Sequence, residues 1–166
     1  MLKPIGPVQW PYHMHSPSIT GDGIFLIFDN GLFQARPFTP PKAPAETYGR
    51  AAAYAIDEAN LTVREVWASD TFGPDNMISY AMGDADWLPK TGNVLISYGL
   101  GLRRNQVTDI KNTQWNACTH HRPSTRIREA TRTTPPDIVF EVGLRNDAEE
   151  PNIGWVCFGA ERLEGL

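Results

Sequence analysis

Gly21-Asp-Gly-Ile-Phe-Leu-Ile-Phe-Asp-Asn-Gly31 aligns with Thr91-Gly-Asn-Val-Leu-Ile-Ser-Tyr-Gly-Leu-Gly101. Each stretch holds a short apolar run between turn residues, the pattern of a buried strand. The likeness extends outward. Arg50–Ser69 aligns with Thr125–Leu144, and both read as a hairpin. A further strand fits before each turn, at Ser16–Thr20 and Asp84–Leu88. Four antiparallel strands therefore recur at an offset of roughly 70–75 positions, which is the organisation of a β-propeller blade. The expected fold is all-β: a blade-like unit over 13–69, another over 79–145, and a terminal strand over 154–162. Two blades and a strand do not close a ring, because propellers need four or more. The chain thus reads as part of a larger propeller, as an open two-sheet domain, or as a piece completed by a homo-oligomer. Without the repeat, a generic β-sandwich is the competing reading.

The stretch Arg50-Ala-Ala-Ala-Tyr-Ala-Ile-Asp57 tests that pattern, since alanine is the best helix former. The same pattern recurs at 125–144 without the alanines, so a hairpin is expected, with a bulge near Val66-Trp67. Residues 1–16 read as an extended leading segment. Residues 32–47 carry four prolines and read as a surface loop.

Composition removes several functional classes. The chain has 166 residues, a net charge of −4 and 14 each of glycine and proline. An acidic balance does not suit a broad nucleic-acid footprint. No apolar run approaches the roughly 20 residues of a membrane helix. The first residues lack the apolar core of a signal peptide. Cys118 and Cys157 are too few for a disulfide scaffold and leave the redox compartment open. Cys118, His120 and His121 with His13 or His15 have the wrong spacing for a structural zinc site, so no metal is expected. Gly99-Leu-Gly101 is not a dinucleotide fingerprint, and no phosphate-binding P-loop is present, so no cofactor is expected. The arginines over 122–132 read as the solvent face of a strand.

Five segments in order resemble the bacterial arylsulfate sulfotransferase family. They are His15–Gly31 with its Phe-Asp-Asn-Gly ending, Tyr48–Asp57, Thr62–Trp67, Gly83–Ile96, and the pair Pro136–Glu141 and Gly154–Arg162. The likeness spans about 13 to 162. It implies the C-terminal part of a six-bladed propeller enzyme that moves a sulfuryl group from an aryl sulfate to a phenol without a nucleotide donor. It also implies a histidine that becomes transiently sulfated, and His15 holds the matching position. Met14 stands before it where the family has glutamine. The family's other sulfate-binding groups lie on blades upstream of this segment. The family is typically exported, while this chain shows no signal, so the compartment stays unassigned.

The chemistry suits the residue. Neutral imidazole is a good nucleophile near pH 7, and a covalent intermediate splits one transfer into two easier steps. A sulfuryl group gathers negative charge, so cations or N–H donors must face it. His13 lies two residues from His15, and on one strand both would share a face. Arg50 reads either as a sulfate-attracting cation in the channel or as a structural partner of Asp57 or Asp29. Ser79 lies in the vicinity where the resemblance implies a hydroxyl residue. His15 is therefore the catalytic candidate, and His13, Arg50 and Ser79 are the substrate-binding candidates. The alternative function is a non-catalytic propeller piece that binds a partner or self-assembles. A secreted carbohydrate- or anion-binding β-domain is a further alternative.

Overall fold

The structure is a computed structural model that describes residues 1–32, 34, 40–42, 46–69, 77–103, 123–146 and 154–163. Ten strands appear among them: β1 (Lys3–Pro4), β2 (Met14–Ile19), β3 (Phe25–Asp29), β4 (Arg50–Asp57), β5 (Thr62–Ala68), β6 (Met77–Ser79), β7 (Asp84–Trp87), β8 (Val94–Arg103), β9 (Ser124–Ala130) and β10 (Ile138–Leu144). They form two five-stranded sheets. The first is a meander, β2-β3-β4-β5, with β1 added in parallel on the outer edge of β5. The second is the meander β7-β8-β9-β10, with β6 beside β7 on the long β8. The fold is all-β as expected, and each meander is antiparallel throughout.

Local chemistry sets the turns. Between β2 and β3 the Gly23 N–H donates to the Thr20 carbonyl at 2.9 Å, with Gly23 at φ +78°. Between β7 and β8 the Gly92 N–H donates to Leu88 at 2.8 Å, with Gly92 at φ +73°. Only glycine adopts that region without strain. The β4–β5 turn is closed by Asp57, whose carboxylate accepts from the Asn60 backbone and side chain at 3.0 and 2.7 Å.

Arg50–Asp57 is a strand despite its alanines. Ala51 and Ala53 lie fully buried against the second sheet, where a small side chain lets the sheets approach closely. Tertiary packing overrides helix propensity here. The register shifts between Ala53 and Tyr54, which face Trp67 and Glu65, so Val66 is the extra residue of the expected bulge.

The core lies between the sheets. Leu26, Phe28, Ala53 and Trp67 of the first sheet pack with Ala85, Val94, Ile96 and Tyr98 of the second. The opposite face of the first sheet carries Ile27, Ala52, Tyr54 and Val63, covered by Leu2 and Val8 of the leading segment. The Trp67 indole N–H donates to the Thr133 carbonyl at 3.2 Å and ties the outer hairpins together.

Two expectations change. Residues 154–162 do not form a strand. They cross the end of β9, where the Trp155 N–H donates to the Pro123 carbonyl at 3.1 Å and the Thr125 hydroxyl donates to the Trp155 carbonyl at 3.3 Å. Isolated bonds of this kind hold a chain without building a ladder. The arginines of β9 also do not form a solvent face. Arg128 is 1% exposed, opposes Ile96, and lies 5.7 Å from the Tyr98 ring centroid with Glu141 on its Nε. A paired, ring-stacked guanidinium can occupy a core position that an unpaired one cannot. Most of the expected 32–47 loop, together with Cys118, His120 and His121, lies outside the described residues.

Candidate functional site

Strand pairing places His15. Met14 opposes Asp29 and His15 opposes Phe28, and the Gly31 N–H donates to the Tyr12 carbonyl at 3.0 Å in the same register. Directly opposed residues share a face. His15 therefore shares the face of Phe28, which is the face turned to the second sheet. After His15 the register shifts, with Ser16 at φ +48°. This bulge lets the Ser16 hydroxyl donate across to the Gly83 carbonyl at 3.3 Å. His15 is partly buried.

Ser79 is fully buried on β6, and its hydroxyl donates to the Ala81 carbonyl at 3.5 Å. Its own carbonyl accepts from Asn30 Nδ2 at 2.9 Å, and the Met82 carbonyl accepts from the same group at 3.0 Å. Asn30 thus clamps the segment after β3 to the end of β6 and the segment after it. In the sequence Asp29-Asn30-Gly31 reads as a turn and as the end of the family-like segment, and no periodic signal distinguishes a clamp from a turn residue. Ser16 and Gly83 were missed for the same reason.

His13 is exposed and precedes β2, with φ +56°. The left-handed residue breaks the alternation, so the rule that would put His13 and His15 on one side does not reach it.

Arg50 faces the other way. It is fully buried on the face of Tyr54, the one covered by the leading segment. Its guanidinium meets Asp29 at 3.2 Å and Glu65 at 3.1 and 3.2 Å, and donates to the Gln9 carbonyl at 2.8 Å and the Tyr54 hydroxyl at 3.2 Å. Burial alone would draw protons off Arg50, but its hydrogen bonds to Glu65 and the charges around it push its pKa up. Burial pushes the Asp29 carboxyl up, against the Tyr12 N–H and Arg50 that favour its charge. This is the geometry of a structural ion-pair network, the second of the two roles open to Arg50 from sequence.

A cleft of about 640 Å³ lies between β7 and residues 159–162, lined by Asp84, Asp86 and Glu161. Asp84 opposes Ser97 and Asp86 opposes Leu95, so both acids lie on the face of the second sheet away from His15. Arg162 also lines it, but its guanidinium is paired with Glu129, so carboxylates dominate this cleft. Burial, then the charge of and hydrogen bond to Asp84, push Asp86 up to about 6. The folded chain thus binds this proton more tightly than the unfolded chain. Its contribution is complete below about pH 4 and is lost as pH rises to about 6. Asp86→Asn is expected to remove that decline and to stabilise the chain at pH 7 by at most about 1 kcal/mol, after allowance for solvent screening. Urea midpoints of both proteins between pH 4 and 8 check this, and parallel curves would refute it.

Among the described residues no group of three His, Cys, Asp or Glu side chains could hold a metal, and no helix is long and apolar enough to cross a membrane.

The molecule is an all-β protein of two packed antiparallel meanders with a histidine on their shared face. The arylsulfotransferase (ASST) family model matches residues 1–151 of its 166, and the chain belongs to that family. No curated protein matches it significantly.

Proposed function

We propose that this chain is part of a nucleotide-independent aryl sulfotransferase in which His15 accepts the sulfuryl group. The observation that supports this most is the position of His15. It is partly buried, directly opposite the Phe28 of Phe28-Asp-Asn-Gly31, on the face between the meanders. In the first step an imidazole nitrogen lone pair forms the N–S bond. The S–O bond to the aryl group breaks, and its electron pair leaves as phenoxide, which takes up a proton. In the second step the oxygen of an acceptor phenol attacks sulfur and loses its proton. The N–S bond then breaks and returns its pair to nitrogen.

Charge on the sulfuryl oxygens must be met by cations or N–H donors. Arg50 and Arg128 are committed to Asp29, Glu65 and Glu141. In this reading further blades, from a longer chain or from other copies, close a six-bladed ring and bring those donors to His15. His13 and Ser79 are proposed to flank the ester.

The test is release of 4-nitrophenol from its sulfate ester with excess phenol, for the native chain and His15→Ala. The expected result is turnover that falls by several orders of magnitude in the variant. Equal turnover in both would overturn the role of His15. A second reading, a non-catalytic binding or self-assembly module, is favoured by the exposed apolar row Phe140, Val142 and Leu144 on β10, with Trp155 and Phe158 beyond it. No turnover from either folded protein would give this chain alone to that reading.

A further inference from the structure

Asn30 is fully buried, and both of its Nδ2 contacts are accounted for by the carbonyls of Ser79 and Met82. Those two bonds fix the amide orientation. They leave Oδ1 buried with no partner among the described residues. A buried acceptor without a partner costs about 1–3 kcal/mol, so an asparagine in this state invites a functional explanation.

Strand register supplies one. Asp29 opposes Met14 and Gly31 bonds back to Tyr12, so Asn30 opposes position 13 and is the diagonal neighbour of His15. Its contacts with Ser79 and Met82 show that it lies on the face of Phe28, as His15 does. Diagonal neighbours on one face are within reach of long side chains.

Resting on the proposed role of His15, we infer that Asn30 is a positioning residue: its Oδ1 accepts the N–H of one imidazole nitrogen and so holds the lone pair of the other toward sulfur. Which ring nitrogen carries the proton is set by the hydrogen bond the other groups offer it. A carboxylate here would do the same but would repel a sulfate ester, whereas a neutral amide does not. In an unliganded site such bonds are often long and tighten with substrate. The double clamp to Ser79 and Met82 explains why Oδ1 keeps its aim while it waits. An amide anchored on two carbonyls cannot rotate to satisfy itself elsewhere.

The test reads the tautomer of His15 directly, by long-range nitrogen–proton NMR on the full chain, free and titrated with inorganic sulfate. One tautomer held above the free-histidine ratio in either state is expected in the native protein. Asn30→Ala should return the ratio to that of free histidine and lower kcat about tenfold, the equivalent of one hydrogen bond, with KM little changed. A free-histidine ratio in the native protein in both states overturns the inference, whether or not Asn30→Ala folds. So does an unchanged tautomer in a folded Asn30→Ala. Loss of the role of His15 would show separately, as an active His15→Ala.

Discussion

Arg50→Ala should cost about 3–5 kcal/mol of stability, the range for removing one partner of a buried ion pair. That is a large share of the roughly 5–15 kcal/mol that holds a domain together. The guanidinium meets Asp29, Glu65, the Gln9 carbonyl and the Tyr54 hydroxyl at once. Its loss leaves Asp29 fully buried beside a void, with two backbone N–H groups to share its charge. Arg50→Lys should recover part of the loss, because an ammonium is a point charge and cannot address four partners in one plane. The damage should also spread to the leading segment, since Gln9 bonds both Arg50 and Glu65. Urea midpoints and protease sensitivity near residues 1–12 check these outcomes. A folded Arg50→Ala with a native midpoint and a raised KM for aryl sulfate would restore the substrate-binding role that sequence left open.

Phe28→Ala should cost about 3–5 kcal/mol, as for other buried phenylalanines. In a chain of this size that lowers the melting temperature by roughly 10 °C or more. Phe28 is fully buried and meets Tyr98 edge-on, with ring centroids 5.5 Å apart at 88°. With Leu26, Ala53 and Trp67 it is one of the residues through which the first sheet engages the second. Two glycines make its seat. A Cβ on Gly49 would come within 3.0 Å of the ring, and one on Gly83 would overlap it. Gly83 also has φ +110°, so it is glycine for two reasons. Phe28→Leu should keep the strand register and lose less. A loss below about 1 kcal/mol in Phe28→Ala, measured by calorimetry, would mean that the two sheets do not share one cooperative core.

These two residues show where reading the chain succeeds and where it stops. Gly23-Ile-Phe-Leu-Ile-Phe28 and Asn93–Tyr98 announce buried strands because alternation and turn glycines are local signals. The hairpin at 50–68, its bulge at Val66 and the second hairpin after Ser124 follow from the same signals. A strand over 154–162 looked equally good on those grounds, but a ladder needs a partner edge that continues, and beside Pro123 and Thr125 it does not. The β1 strand was invisible for the opposite reason: Lys3-Pro4 has no strand pattern, and its parallel pairing to Thr62-Val63 is bought by a remote edge.

Site residues divide along the same line. His15 stood out through its motif, and the strand register places it opposite Phe28. Asn30 belonged to the same motif, yet its chemistry depends on carbonyls 49 and 52 positions away. Arg50 and Arg128 are charged residues in strands, and charge alone suggests solvent or substrate. Only remote carboxylates and a ring decide that both are buried.

The amino-acid sequence by itself determined the two meanders, their strand order and their turns, because hydrophobic period and glycine conformation act over a few neighbouring residues. The tertiary structure decided which face each polar side chain serves. One bulge or one left-handed residue, as at His13 and Ser16, resets the alternation, and burying a charge depends on partners brought from distant parts of the chain.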